Sequence, residues 1–252
     1  MMRKIILILL VMILVLGLLF RILPSVHANR YKFFGFRLAE KDAQEDPEFS
    51  RIGEKITYNV RLGKIYLGKA VFHHVERLQL EGRVANRITF DTHLVNFQDL
   101  EIIYSDPTNF LPIKIERHIN NWPFQEKITE NYDQSKFILT ITKVKGRNKE
   151  QSTIKKNSSI HNAILLPFYV RRIAKLDIGW TLMAQLPTQQ FLIRLVSIER
   201  IRVPAGEFNC YHFESFPNKF EIWISADNRR IPVKIKGLGA LGYTMVMQDY
   251  SF

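Results

Sequence analysis

Only a few side chains in this sequence are spaced for chemistry. Cys210 and His212 stand two residues apart in an apolar-leaning stretch. A thiol nucleophile needs an adjacent base, and on a regular strand these two share a face but lie about 7 Å apart. A small buried residue fits Cys210 better than a nucleophile does. Glu126 and Glu130 are four apart on an expected strand. That puts them about 13 Å apart on one face, beyond the roughly 5–9.5 Å of a glycosidase carboxylate pair. A solvated strand face beside Lys127 accounts for them, although either glutamate could meet a carboxylate from a neighbouring strand. His73 and His74 are adjacent, so a strand sends them to opposite faces and they cannot chelate one ion. His93, His118, His161 and His212 are scattered. There is no Gly-rich phosphate loop, helical zinc pair, calcium loop or nucleophile elbow. Cys210 is the one cysteine, which excludes an intramolecular disulfide and a multi-thiolate zinc site. The expectation is a non-enzymatic chain without metal or cofactor.

Positive charge is more abundant than chemistry. The chain of 252 residues has 36 Lys+Arg against 24 Asp+Glu, a net +12. Lys143, Lys145, Arg147, Lys149, Lys155 and Lys156 surround one expected hairpin. Arg171, Arg172 and Lys175 share another segment, and Arg229 and Arg230 sit at a turn. Such residues solvate turns and guard strand edges, or they form an anionic-headgroup rim around an apolar cavity. At 46% hydrophobic and 24% charged, the composition is that of a globular protein and excludes wholesale disorder.

The elements that must position these residues begin after an unusual start. Met1-Met2-Arg3-Lys4 precedes an apolar run from Ile5 to Phe20, followed by Arg21, Pro24 and Ser25-Val26-His27-Ala28. The order is that of a secretory signal peptide cut after Ala28. Extended over residues 5–23, with Arg21 snorkelling, the run could instead remain as an N-terminal membrane anchor. Both readings place the body outside the cytoplasmic membrane, in the periplasm or cell envelope. Residues 1–28 carry Arg3, Lys4 and Arg21 and no acid, so removing these three charges from +12 leaves +9. A basic exported body suits anionic lipid heads or envelope glycans, whereas nucleic acid does not fit an exported chain. Residues 29–52 read as a lead-in arm, with Tyr31, Phe33, Phe34 and Phe36 placed to pack on the body or to lie at a membrane interface.

From residue 53 to 252 the apolar period is two, which indicates strands. Ile56, Tyr58 and Val60 alternate with Lys55, Thr57, Asn59 and Arg61. Gly63, Gly82, Gly146 and Gly206 mark turns, and Asp227-Asn228 marks another. Expected strands include 65–80, 84–95, 189–203, 208–216 and 219–225. One segment breaks the pattern: His161 to Leu176 has near-helical apolar spacing, with Asn162 as a possible cap and Pro167 as a possible break. Short strands separated by turn signals indicate one antiparallel domain over 53–252. The fold class is mainly β: a large curved antiparallel sheet, or open barrel-like half-shell, packed around one helix and preceded by an N-terminal hydrophobic helix.

Several segments taken in order resemble a known family. They are Gly53-Glu54-Lys55-Ile56-Thr57-Tyr58-Asn59-Val60, Tyr66-Leu67-Gly68-Lys69-Ala70, and Asp106-Pro107 leading to Phe110-Leu111-Pro112. After Tyr132-Asp133 come the 163–171 segment, Val203-Pro204-Ala205-Gly206-Glu207-Phe208 and Trp223-Ile224-Ser225-Ala226-Asp227-Asn228-Arg229-Arg230-Ile231-Pro232-Val233. Their order resembles the exported bacterial family called domain of unknown function 3108, over about residues 53–250. Asn162 stands where that family typically has Asp, and Pro167 is unusual there. The resemblance implies an envelope protein with a mostly antiparallel β fold and supplies no catalytic residues.

Four residues remain as ligand-facing candidates. Tyr169 and Arg171 on the helix are placed to point into the concave face of the sheet. Trp223 and Arg230 flank the Asp227 turn and could meet as a cation–π or cross-strand pair. The leading function is a binding module for a lipid or other amphiphilic envelope ligand. An assembly factor for another envelope protein is the alternative, and a hydrolase of envelope glycans or lipids is the third reading.

Overall fold

The computed structural model describes residues 51–238 and 242–252. The signal-or-anchor reading of residues 1–28, and nearly all of the 29–52 arm, lie outside the described residues. Fourteen strands follow one another: β1 (Lys55–Leu62), β2 (Ile65–Leu80), β3 (Arg83–Leu94), β4 (Phe97–Ser105), β5 (Pro112–Asn121), β6 (Phe124–Asp133), β7 (Ile138–Lys145) and β8 (Asn148–Lys155). After a helical turn α1 (Leu166–Val170) come β9 (Thr181–Gln185), β10 (Gln190–Val203), β11 (Gly206–Phe216), β12 (Phe220–Ser225), β13 (Pro232–Gly237) and β14 (Tyr243–Ser251). Among the described residues no helix is long and apolar enough to cross a membrane.

The strands make one antiparallel sheet in the order β8-β7-β6-β5-β4-β3-β2-β1-β14-β13-β12-β11-β10-β9. Sequence neighbours pair except β8 and β9, and β1 and β14 meet in the middle, where Ile56 faces Tyr250 and Val60 faces Met245. The sheet is not closed, because β8 and β9 are its edges. The chain after β8 runs between those edges. The Lys156 N–H donates to the Phe137 carbonyl, and Ile160 forms a parallel bridge with Gln185. The Gln134 amide holds Ile160 from both sides, receiving its N–H at 2.9 Å and donating to its carbonyl at 2.9 Å.

Period-two alternation gives the sheet its buried face. Ile56 and Tyr58 of β1, Phe72 of β2, Ile88 of β3, Ile103 of β4, Ile115 of β5 and Leu139 of β7 join one core cluster with Leu165 and Phe168. The Phe168 ring stacks on Phe72 with centroids 3.7 Å apart. Leu166, Val170 and Ile173 face the other way, into a second cluster with Leu182, Ile193, Phe213 and Ile222. The helical segment thus joins both cores.

Gly68 shows how tight the sheet is: with φ +153°, a Cβ there would lie 2.0 Å from the His93 carbonyl oxygen. The Leu67–Gly68 stretch also carries the register shift between β1 and β2.

The expected helix over 161–176 is far shorter in the structure, at Leu166–Val170. Asn162 does cap its approach, its side-chain oxygen accepting the N–H groups of Ile164 and Leu165. Pro167 has no N–H to donate to residue 163. Past Val170 the bonds tighten to i→i−3, as Arg172 bonds Tyr169 and Ile173 bonds Val170. Burial of opposite sides in two cores then draws the chain away from a continuous helix.

Candidate functional site

Three of the four ligand-facing candidates meet around the helical segment. Arg171 is 3% exposed and is engaged with Glu54 at the entrance to β1. Its Nη1 and Nη2 donate to the two carboxylate oxygens at 2.9 and 2.6 Å. A bidentate guanidinium–carboxylate pair is the strongest geometry available to these groups. Buried His74 lies in the same environment, edge-on to Phe110. Burial, and then the positive charge of Arg171, hold the His74 imidazole down to about 4. Arg230 takes φ +47° at the end of the Asp227 turn. Its guanidinium donates to the carbonyls of Ile173 and Ala174, the latter at 3.0 Å, and so closes the end of the helical segment. Tyr169 packs edge-on against His161 and lines a crevice with Phe110, Leu111, Pro112 and Leu165 that has no interior room for a water-sized sphere.

Trp223 does not meet Arg230 as its place beside the turn suggested. Trp223 pairs in register with Lys234, whose Nζ lies 4.0 Å over the indole, while Arg230 lies over the Tyr211 ring at 5.7 Å. The register of β12 with β13 decides this, since it sets Lys234 rather than Arg230 directly across from Trp223. The other face of the indole stacks on His212 at 4.3 Å, and its Nε1 donates to Glu199. His212 lies between two carboxylates, with Nδ1 3.4 Å from Glu199 and Nε2 3.6 Å from Glu221. Cys210 is fully buried, its thiol directed at the Phe208 carbonyl. Burial, and then Asp227 and Glu199, push that thiol up to about 12, the opposite of what a nucleophile requires.

Sequence reasoning missed a buried polar group. Glu130 is not on a solvated face: it is 8% exposed and accepts the Tyr132 hydroxyl. It belongs with Asp99 and Glu101 around Arg117. Arg117 donates from Nε to both Asp99 oxygens at 2.9 Å and lies 3.5 Å from Glu101. Burial pushes the Glu101 carboxyl up to about 8 despite the guanidinium. Three carboxyls share one cation there, and retaining a proton relieves the excess negative charge. Among the described residues no group of three or more His, Cys, Asp or Glu is arranged to hold a metal ion.

The remaining feature appears only once the topology is known. In an antiparallel meander every second connection falls at the same end. The β1–β2, β3–β4, β5–β6 and β7–β8 turns therefore share one end with the β9–β10, β11–β12 and β13–β14 connections. Large apolar side chains stand exposed on these turns: Ile65 at 64%, Val95 at 73%, Trp122 at 83% and Phe124 at 59%, with Tyr66 and Phe216 beside them. Burial cannot account for them. The same connections carry Lys64, Lys145, Arg147 and Lys219 and no acidic residue. Lys145 lays its Nζ 5.0 Å over the Phe124 ring, joining the basic turn to the aromatic one. The opposite end mixes the two signs: Glu81, Asp106, Asp133, Asp177 and Asp227 stand there with Lys136, Lys156, Arg172, Lys175, Arg229 and Arg230. The sequence signal lay in these turns, and reading it required knowing that consecutive strands pair within β1–β8 and within β9–β14.

Among curated proteins none matches the chain. Three solved structures are similar at low identity. One is a β-barrel-like protein of DUF1849 from Brucella abortus, 9% identical, with TM-score 0.44 over 80% of this chain and 98% of that one. A candidate exported protein with a YmcC-like fold from Bacteroides fragilis is 9% identical, with TM-score 0.30 over 80% and 97%. A candidate lipoprotein from Parabacteroides distasonis is 8% identical, with TM-score 0.27 over 79% and 95%. The model of the family described as protein of unknown function (DUF3108) matches residues 57–248, from β1 into β14. Matched over most of its length, the chain belongs to the DUF3108 family.

Proposed function

We propose that this protein is a non-enzymatic module of the cell envelope that binds an amphiphile with an anionic head at the hairpin end of its sheet. The observation that carries the reading is the coincidence, on one set of turns, of exposed apolar side chains with cations and no acids. Aromatic rings partition to the border between water and acyl chains, and Lys and Arg supply the attraction to anionic heads. The cationic start and apolar run of residues 1–20 support export. Cys210 and the Arg117 cluster sit in packed surroundings, which favours binding over hydrolysis.

The test presents the full chain with anionic and zwitterionic phospholipids, each as monomers and as vesicles. The anionic lipid is expected to be retained in preference. The charge-reversed variant K145E/R147E is expected to lose roughly tenfold or more of that retention, since each cation contributes about 1 kcal/mol near an anionic surface. Equal retention of both head types, unchanged in the variant, contradicts the reading.

A further inference from the structure

The anionic amphiphile of that reading can be a single lipid enclosed by the protein or the face of a bilayer, and the geometry distinguishes the two. An enclosed lipid needs an apolar cavity, and the crevice beside Tyr169 has no interior room and lies at the other end of the sheet. Six of the exposed large apolar side chains (Ile65, Tyr66, Val95, Trp122, Phe124 and Phe216) instead stand on or beside the turns of the hairpin end, while Ile178 and Phe252 are exposed at the other. Successive turns at the hairpin end are two strand spacings apart, about 10 Å, so the line from the β1–β2 turn to the β7–β8 turn runs for roughly 30 Å. Ile65, Val95, Trp122 and Phe124 stand on three successive turns of that row. An extended row of this kind matches an extended apolar boundary.

We infer that the hairpin end docks on the surface of an anionic bilayer. The β5–β6 turn enters the interfacial layer with Trp122 and Phe124, and Lys64, Lys145 and Arg147 face the lipid heads. Lys145 over the Phe124 ring is arranged for this, with its ammonium held at the level where the ring meets the heads. The hairpin end is set apart by carrying cations and no acid on its connections, whereas at the opposite end the acids stand beside cations, as in Asp133–Lys136, Asp177–Lys175 and Asp227–Arg229. Arg51 and Phe252 also lie at that opposite end, beside the start of β1 and the end of β14.

This inference rests on the proposed binding of anionic amphiphiles, and its test separates the two. Emission of the full chain is compared with that of W122F, so the difference reports Trp122 and the N-terminal run contributes equally to both. The three probes are monomeric dihexanoyl phosphatidylglycerol, phosphatidylglycerol vesicles and phosphatidylcholine vesicles. The expected result is a blue shift of the Trp122 component with phosphatidylglycerol vesicles alone, reversed by high salt. K145E/R147E is expected to weaken the response roughly tenfold or more. A response to the monomer equal to that with vesicles overturns the docking inference and leaves amphiphile binding standing. No response to either phosphatidylglycerol probe overturns both. Circular dichroism of each variant confirms the fold, which exposed positions do not control.

Discussion

At the scale of single residues, Arg171 and Arg230 each tie the helical segment to another part of the fold. Arg171 and Glu54 illustrate this: 117 residues apart in sequence, both are buried and bonded at two points. Removing one partner of a buried pair strands a charge, so E54Q is expected to cost about 3–5 kcal/mol in chemical denaturation. Replacing both, as in E54Q/R171M, is expected to recover part of that loss, and equal costs for the single and double variants would show that the pair is not coupled. Glu101 behaves differently. Its carboxyl is pushed by burial from an ordinary 4.5 up to about 8. The folded chain therefore holds a proton that the unfolded chain releases. The stabilisation is complete below pH 4.5 and is lost as pH rises through about 8. Wild type is expected to lose stability across that window relative to E101Q, and parallel pH profiles for the two would contradict this origin. Nothing in the sequence marked Glu101, since its significance depends on Arg117 lying opposite it on β5.

At the scale of elements, most strands were legible because period-two alternation and turn residues both mark them. The expected strand over 65–80 is β2 itself, and the expected 189–203 is β10 to within a residue. The helical segment was misjudged because apolar spacing cannot distinguish one core from two. Leu165 and Phe168 serve one cluster while Leu166 and Val170 serve the other. Two consequences follow for this segment. Arg230 closes its carbonyl end with two charge-assisted bonds, so R230A is expected to cost about 1–3 kcal/mol and to speed amide exchange over residues 171–176. His74 is buried and His161 half-buried, and desolvation holds both imidazoles down from 6.5 to about 4. The unfolded chain binds protons in that interval and the folded chain does not, so stability falls as pH drops from 6.5 towards 4. Hydrogen exchange within residues 161–176, corrected for intrinsic rate, is expected to accelerate over the same interval. Protection independent of pH there would contradict the account.

At the scale of the whole molecule, the arrangement that matters is one that no single segment carries. Gly63-Lys64, Trp122-Pro123 and Gly146-Arg147 each read as an ordinary turn. The meander gathers them at one end and sends Glu81, Asp106 and Asp133 to the other. Net charge suggests an anionic partner but cannot say which end would meet it, because the distribution of charge along the strands emerges only from pairing order. The crevice beside Tyr169 is too tight for a lipid, which directs attention to that end. The most direct test is a hydrogen-exchange footprint of the full chain on phosphatidylglycerol vesicles. The account predicts protection at residues 62–65, 94–97, 121–124 and 145–148, with 81–83, 106–111 and 226–230 unchanged. Protection at the opposite end, or none at the hairpin turns, would contradict it.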